Sequence, residues 1–221
     1  MNRPEKKIFT QTNDLEKYDN PLASIYENLI VPAMNEDIQG VPNFKWEQTL
    51  CQGSSALARC DYDTYELLKA SGNRTTHRND SITYSYPNHD SVSDSLDEAI
   101  NILGKEISCD YLGLSNHPTC YRNHEGYDGY MGWHTNHDFP GDRWYFVYNP
   151  EPDKSFFRYI DPDTGKMETV REPAGWCLNH FVAGSYQSPL WHCIYTSGYR
   201  FSFGIRKIEL LKYTNGKVNL R

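Results

Sequence analysis

No stretch of this sequence approaches the roughly 18 consecutive apolar residues that a membrane-spanning helix requires. The mean hydropathy of −0.74 points the same way, to a chain that lives in water. The opening MNRPEKKIFTQTNDLEKYD lacks the apolar centre of a secretion signal. Basic charge is in deficit: 22 Lys and Arg stand against 29 Asp and Glu, for a net charge of −7. A broad nucleic-acid footprint needs clustered cations, so nucleic acid is not an expected partner, and a membrane surface is not expected either. The six cysteines, Cys51, Cys60, Cys109, Cys120, Cys177 and Cys193, form no CxxC pair. A chain of 221 residues buries a proper core without disulfide support, so reduced thiols and a cytoplasmic location are the expectation. Internal repeats and long low-complexity tracts are missing too, which leaves one structural domain as the default. What the chain does have is aromatic: 14% Phe, Trp and Tyr, with 17 Tyr. That composition suits strands and a pocket lined for stacking.

The first half reads as helical. Residues 1–20 are polar and read as an arm, poorly ordered or laid on the surface. Pro21 to Val31 predicts a short helix, with Asn20 placed to cap it and Pro21 at its first position. Ser54 to Ala70 predicts a second, anchored by Leu57, Leu67 and Leu68. Gly72 to Asp90 reads as a loop with a short strand at Ile82 to Tyr86. From Ser95 to Ile107, Leu96, Ile100, Leu103 and Ile107 recur at spacings of three and four and form one apolar stripe. After Ile107 the pattern turns to short aromatic and β-branched runs between turn signals. Strands are expected near Thr119–Asn123, Gly129–Thr135, Arg143–Asn149, Phe156–Ile160, Lys166–Arg171, Trp176–Phe181, Leu190–Thr196 and Tyr199–Leu211, with a tight turn at Asp163-Thr164-Gly165. Eight strands without intervening helices suggest a closed sandwich with the helices on one outer face. The expected organisation is residues 1–118 as arm and supporting helices, and 119–221 as the β core.

One constellation carries chemistry. Gly132-Trp133-His134-Thr135-Asn136 is answered downstream by Trp191-His192 and then by Tyr199-Arg200-Phe201-Ser202. Two histidines on separate strands suit the binding of a divalent iron on one face. An arginine deeper in the same pocket suits a dicarboxylate that chelates it. The usual third ligand is a carboxylate two residues after the first histidine; here Asn136 stands there. Three candidates can complete the face: the amide oxygen of Asn136, Asp138 two residues further on, or water. Other histidines have plainer readings. His77, His89, His117 and His124 read as hydrogen-bonded surface or core groups, His137 as exposed on the other strand face, and His180 as core packing. Asp161-Pro162-Asp163 lacks the spacing of a calcium loop.

Read together with Cys120-Tyr121-Arg122, Gly126, Arg143 to Tyr148-Asn149, and Glu172-Pro173-Ala174-Gly175-Trp176, this half resembles the double-stranded β-helix of the Fe(II)- and 2-oxoglutarate-dependent oxygenases, closest to their prolyl-hydroxylase-like branch. The match spans roughly residues 119–208. The resemblance implies a mainly β fold with N-terminal helices around a jelly-roll, cupin-like barrel. It implies Fe(II) on His134, Asn136 and His192, and 2-oxoglutarate held by Arg200, Ser202 and Tyr121, with Tyr145 and Tyr148 as rival phenol donors and ascorbate as an auxiliary. The guanidinium fork suits the second carboxylate better than an ammonium does. The activity implied is hydroxylation of a peptidyl residue or a small metabolite. Two alternatives stand beside it: a catalytically silent barrel, favoured by Asn136, and a cupin-like isomerase or dioxygenase, which would not need Arg200 and Ser202.

Overall fold

The computed structural model describes residues 8–45, 55–72, 80–87 and 90–208. Among the described residues eleven strands form in chain order: β1 Phe9–Thr12, β2 Val41–Lys45, β3 Ser81–Ser85, β4 Leu112–Tyr121, β5 Gly129–His134, β6 Gly141–Asn149, β7 Ser155–Ile160, β8 Met167–Arg171, β9 Gly175–Ala183, β10 His192–Thr196 and β11 Arg200–Lys207. Every pairing is antiparallel. One run orders β9-β6-β11-β4 with β1 on its outer edge. The other orders β5-β10-β7-β8, and β3 joins the two by pairing β4 on one side and β5 on the other. Tyr121 and Phe181 of the first run meet Met131, Phe157 and Ile194 of the second in one buried cluster. The two runs therefore face each other, and the curled sheet is compatible with a jelly-roll-like sandwich.

Alternation explains which side chains enter that interior. On β11, Phe201, Phe203 and Ile205 turn outward to the helices, so Arg200 and Ser202 turn inward. On β10, Ile194 faces in with His192, while Cys193 packs on the opposite side with Tyr65 and Leu68. The outer face of the first run is covered by helix α1, Asp19–Ile25, and helix α4, Ser93–Glu106. Leu96, Ala99 and Leu103 of α4 and Leu22 and Ile25 of α1 bury against Phe146 and Phe203.

Several expected boundaries shift. Asn20 does not cap the first helix but lies inside it. The helix starts at Asp19 and runs through a π-helical turn, Tyr26–Ile30, into α2, Val31–Met34. Pro32 has no N–H to give the preceding turn, and the widened turn comes immediately before α2. Among the described residues between 55 and 70 the α-helix is Tyr62–Ala70, α3, preceded by a short 3-10 turn at Ala58–Cys60. Asp61 takes an extended backbone and its Oδ1 accepts from the Thr64 amide at 2.8 Å, which fixes the start there. Ser54 lies outside the described residues. Leu68 is buried, but Leu57 and Leu67 are 45% and 52% exposed; adjacent positions on a helix cannot both face one sheet. The arm is not wholly loose: Phe9–Thr12 pairs with β9 at the edge. The strand expected at Thr119–Asn123 begins at Leu112 and ends at Tyr121. The last strand ends at Lys207, and the expectation beyond residue 208 falls outside the described residues. No described helix is long and apolar enough to cross a membrane, and the five described cysteines are free thiols.

Candidate metal centre

His134 closes β5, His192 opens β10, and the two are direct cross-strand partners. Strict alternation from Met131, which faces in, would put His134 on the outside. A β-bulge reverses this. His192 and Ile194 on β10 are opposed by His134 and Met131 on β5, so two steps face three. The extra residue lies at Gly132-Trp133 and re-aims His134, a common device beside functional sites. Trp133 is thereby turned outward, where its indole N–H donates to the Asp61 carbonyl at 2.7 Å. Gly132 gives its amide to the Asp80 carbonyl at 2.8 Å. A Cβ on Gly132 would stand 3.2–3.3 Å from Asp80, so the close approach favours glycine.

The two imidazoles are buried, with ring centroids 4.2 Å apart. Each makes the same second bond: Nδ1 of His134 to the Gly132 carbonyl at 2.8 Å, and Nδ1 of His192 to the Leu190 carbonyl at 2.9 Å. A carbonyl only accepts, so each neutral ring carries its proton on Nδ1 and its lone pair on Nε2. That is the tautomer of a histidine that ligates through Nε2, oriented by an outer hydrogen bond. Phe157 and Phe181 pack on the His192 ring at 5.4 and 5.1 Å and keep it from water. The Nδ2 of Asn136 lies 3.1 Å from His192 Nε2, so the amide belongs to the same cluster. Among the described residues no group of three His, Cys, Asp or Glu side chains is placed to hold a metal; a cation here would rest on two imidazoles and an amide.

Asp138 is 51% exposed, its carboxylate 3.6 Å from His137 Nε2. A turn closed by the Phe139 amide on the Asn136 carbonyl carries it away from the histidine pair. His137 is not exposed as expected: its side chain is 7% accessible, bonded to Thr135 Oγ1 at 2.6 Å and set edge-on to Tyr186. His180 packs as expected on the buried Trp144 ring, and its free edge meets Asp142 at 2.9 Å.

Arg200 is buried in the same interior, and its partner is inside the chain. Its Nε and Nη2 donate to the two oxygens of Glu172 at 2.7 and 2.8 Å, and Nη1 donates to Ser202 Oγ at 3.2 Å. The side chains of the pair are 1% and 0% exposed. Burial pulls the arginine toward losing its proton, but the charge and hydrogen bonds of Glu172 outweigh this and hold its pKa above the ordinary value. Glu172 Oε1 also accepts from Asn179 Nδ2 at 2.9 Å, and Asn179 Oδ1 accepts from Gln11 of β1 at 3.0 Å. Removing one member of such a pair leaves a buried charge alone, which costs about 3–5 kcal/mol. The ring of Tyr121 lies 5.2 Å from the guanidinium carbon.

His134, His192, Arg200, Tyr121, Tyr145 and Asn179 border a narrow cavity of about 10 Å³. Tyr148, three residues from Tyr145, falls on the opposite strand face. It lines a hollow of about 630 Å³ on the outer surface, with Tyr26 and Trp176, far from the histidines in sheet register. Sequence reasoning missed two residues of the centre. Asn179 shares one face of β9 with Cys177 and Phe181, and a polar side chain on such a core face is the signal that could have found it. Glu172 sits in the connection after β8, where no periodicity applies.

No protein-family model matches this chain, and no curated protein matches it. Among solved structures it is similar to a prolyl hydroxylase in complex with a hypoxia inducible factor oxygen degradation domain peptide fragment from Trichoplax adhaerens. The identity is 13% and the TM-score 0.41, over 88% of this chain and 91% of that one. The likeness is a distant structural one.

Proposed function

We propose that this chain is a non-haem iron oxygenase of the 2-oxo-acid-dependent type on a double-stranded β-helix. One observation carries the reading: His134 and His192 are cross-strand partners whose Nδ1 protons are both tied to backbone carbonyls, the tautomer in which a histidine ligates through Nε2, and the amide of Asn136 sits at His192 Nε2 where a shared cation would be held. The strand orders β4-β11-β6-β9 and β5-β10-β7-β8 support the barrel. The donor set fits a divalent metal. His134 and His192 would hold it, and Asn136 would complete the face through its amide oxygen once the amide turns over. Bound iron would supply dioxygen activation for hydroxylation of a peptidyl residue or small metabolite. The chain's own contribution is to fix both tautomers through Gly132 and Leu190 and to exclude water with Phe157 and Phe181.

2-Oxoglutarate fits less well. Arg200, Ser202 and Tyr121 are gathered as its binding would require. However, Glu172 already takes one edge of the guanidinium. The cavity of about 10 Å³ is about the room of a single water, so lining side chains must shift for any acid to enter. These two features, with the amide at position 136, favour the second reading, a metal-binding barrel without turnover. Calorimetry with Mn(II) tests the site: the wild type binds, and His134→Ala and His192→Ala each abolish binding with circular dichroism unchanged. Unchanged binding in both variants would reject the metal centre. Carbon dioxide release from 2-oxoglutarate or 2-oxobutyrate with Fe(II) and ascorbate separates the two readings: turnover of either acid supports the oxygenase, and turnover of neither supports the silent barrel.

A further inference from the structure

The carboxylate of Glu172 stands where a diacid's second carboxylate would seek the arginine fork. We propose that Glu172 sets the cosubstrate class of this site: it stands in, from within the chain, for that second carboxylate, so the site takes a 2-oxo acid with an uncharged tail and discriminates against 2-oxoglutarate. The 2-oxo end of the inference rests on the metal reading above; the carboxylate end rests on the Glu172–Arg200 geometry alone.

Three observations support it. First, the contact is bidentate and wholly buried, 2.7 and 2.8 Å with the Glu172 side chain 0% exposed. It is a planar fork matched to a planar carboxylate. Second, Glu172 is held from several sides and is not a surface group that has folded in. Asn179 donates to its carboxylate at 2.9 Å and its own amide donates to the Ser155 carbonyl at 3.1 Å. Asn149 Nδ2 fixes the next residue by donating to the Pro173 carbonyl at 3.2 Å. Third, the charges close. One cation and one anion already cancel in this interior, and a second carboxylate would be an extra buried anion sharing one guanidinium. Like charges in one buried site disfavour each other's ionised form. An uncharged tail adds no such anion and meets Met131, Phe157, Phe181 and Ile194, the apolar part of the lining.

The test uses Glu172→Gln, which keeps the packing and removes the charge, in two arms. In the first, calorimetry on the Mn(II)-loaded protein compares 2-oxobutyrate with 2-oxoglutarate. The wild type is expected to bind 2-oxobutyrate at least tenfold more tightly, and Glu172→Gln is expected to bring the two together or reverse them with Mn(II) affinity unchanged. In the second arm, metal-free protein is melted with and without glutarate, which lacks the 2-oxo group. Glutarate is expected to raise the Tm of Glu172→Gln, where Arg200 is uncompensated, and to leave the wild type unmoved. A wild type that prefers 2-oxoglutarate would overturn the inference, as would glutarate acting alike on both proteins or on neither. If the wild type binds no Mn(II), the metal reading fails and the glutarate arm still decides the role of Glu172. Should Glu172→Gln not fold, Glu172→Ala carries both arms.

Discussion

At the scale of single residues, the position that separates this centre from the usual arrangement is Asn136. An amide brings no negative charge to a divalent cation, and its nitrogen donates to His192 at 3.1 Å. Asn136→Asp places a carboxylate at the same reach. It should tighten Mn(II) binding by about tenfold, equivalent to about 1.4 kcal/mol, and calorimetry at one ionic strength checks it. No gain on Asn136→Asp, together with full retention on Asn136→Ala, would remove residue 136 from the coordination sphere. The two histidines, the amide and Arg200 were legible through short spacings, Asn136 two residues after His134 and Arg200 eight after His192, read together with the resemblance. Glu172 was legible only as part of a turn, because what matters about it is a contact with Arg200, 28 residues away.

At the scale of elements, the helical layer is held to itself by a small polar cluster at the end of α4. Glu106 accepts from both Lys17 and Tyr18, in the turn before α1. Burial raises the Glu106 pKa, but the hydrogen bonds from Lys17 and Tyr18 outweigh this and lower it overall. A carboxylate whose folded pKa is depressed contributes stability above its unfolded value, about 4.3, and loses it as pH falls through the folded pKa. Glu106→Gln should therefore lower the urea midpoint at pH 7 and leave it nearly unchanged at the acid end of that window. The group is about a third exposed, so the effect is expected below about 1 kcal/mol. An equal loss at both pH values would show that packing, not charge, is at work. The stripe of α4 was legible from its spacing; the buried part proved to be Leu96, Ala99 and Leu103. The start of α3 was not, because it depends on Asp61 capping, and a run of apolar residues reaching back to Leu57 hid that.

At the scale of the whole molecule, β3 is what joins the two runs of strands. Ser81 and Ile82 pair with β5, while Tyr84 and Ser85 pair with β4. Ile82 is fully buried among Tyr130, Trp133 and Phe156. Ile82→Ala removes its buried atoms at the junction and should cost roughly 2–5 kcal/mol. Urea unfolding followed by near-ultraviolet and far-ultraviolet dichroism is expected to shift as a single transition. Separation of the two probes would mean that the runs unfold as independent units. A strand in a segment rich in Asn, Thr and Ser was only partly readable, since its apolar residues are few and its value lies in bridging two edges.

The sequence by itself determined where the main helices and most of the second-half strands lie, and that two histidines and an arginine ride on strands. The helices and strands are periodic, and short-range sterics and hydrophobic patterning write them directly into the chain. Only the tertiary structure decided where they point and what they meet. The bulge at Gly132-Trp133 turns His134 inward against the simple alternation. The arm at Phe9–Thr12 becomes an edge strand and brings Gln11 to Asn179. Glu172 closes on Arg200 from a connection that has no period at all. Each of these is a pairing between distant segments, and a buried charge finds its partner through packing in three dimensions rather than through spacing along the chain.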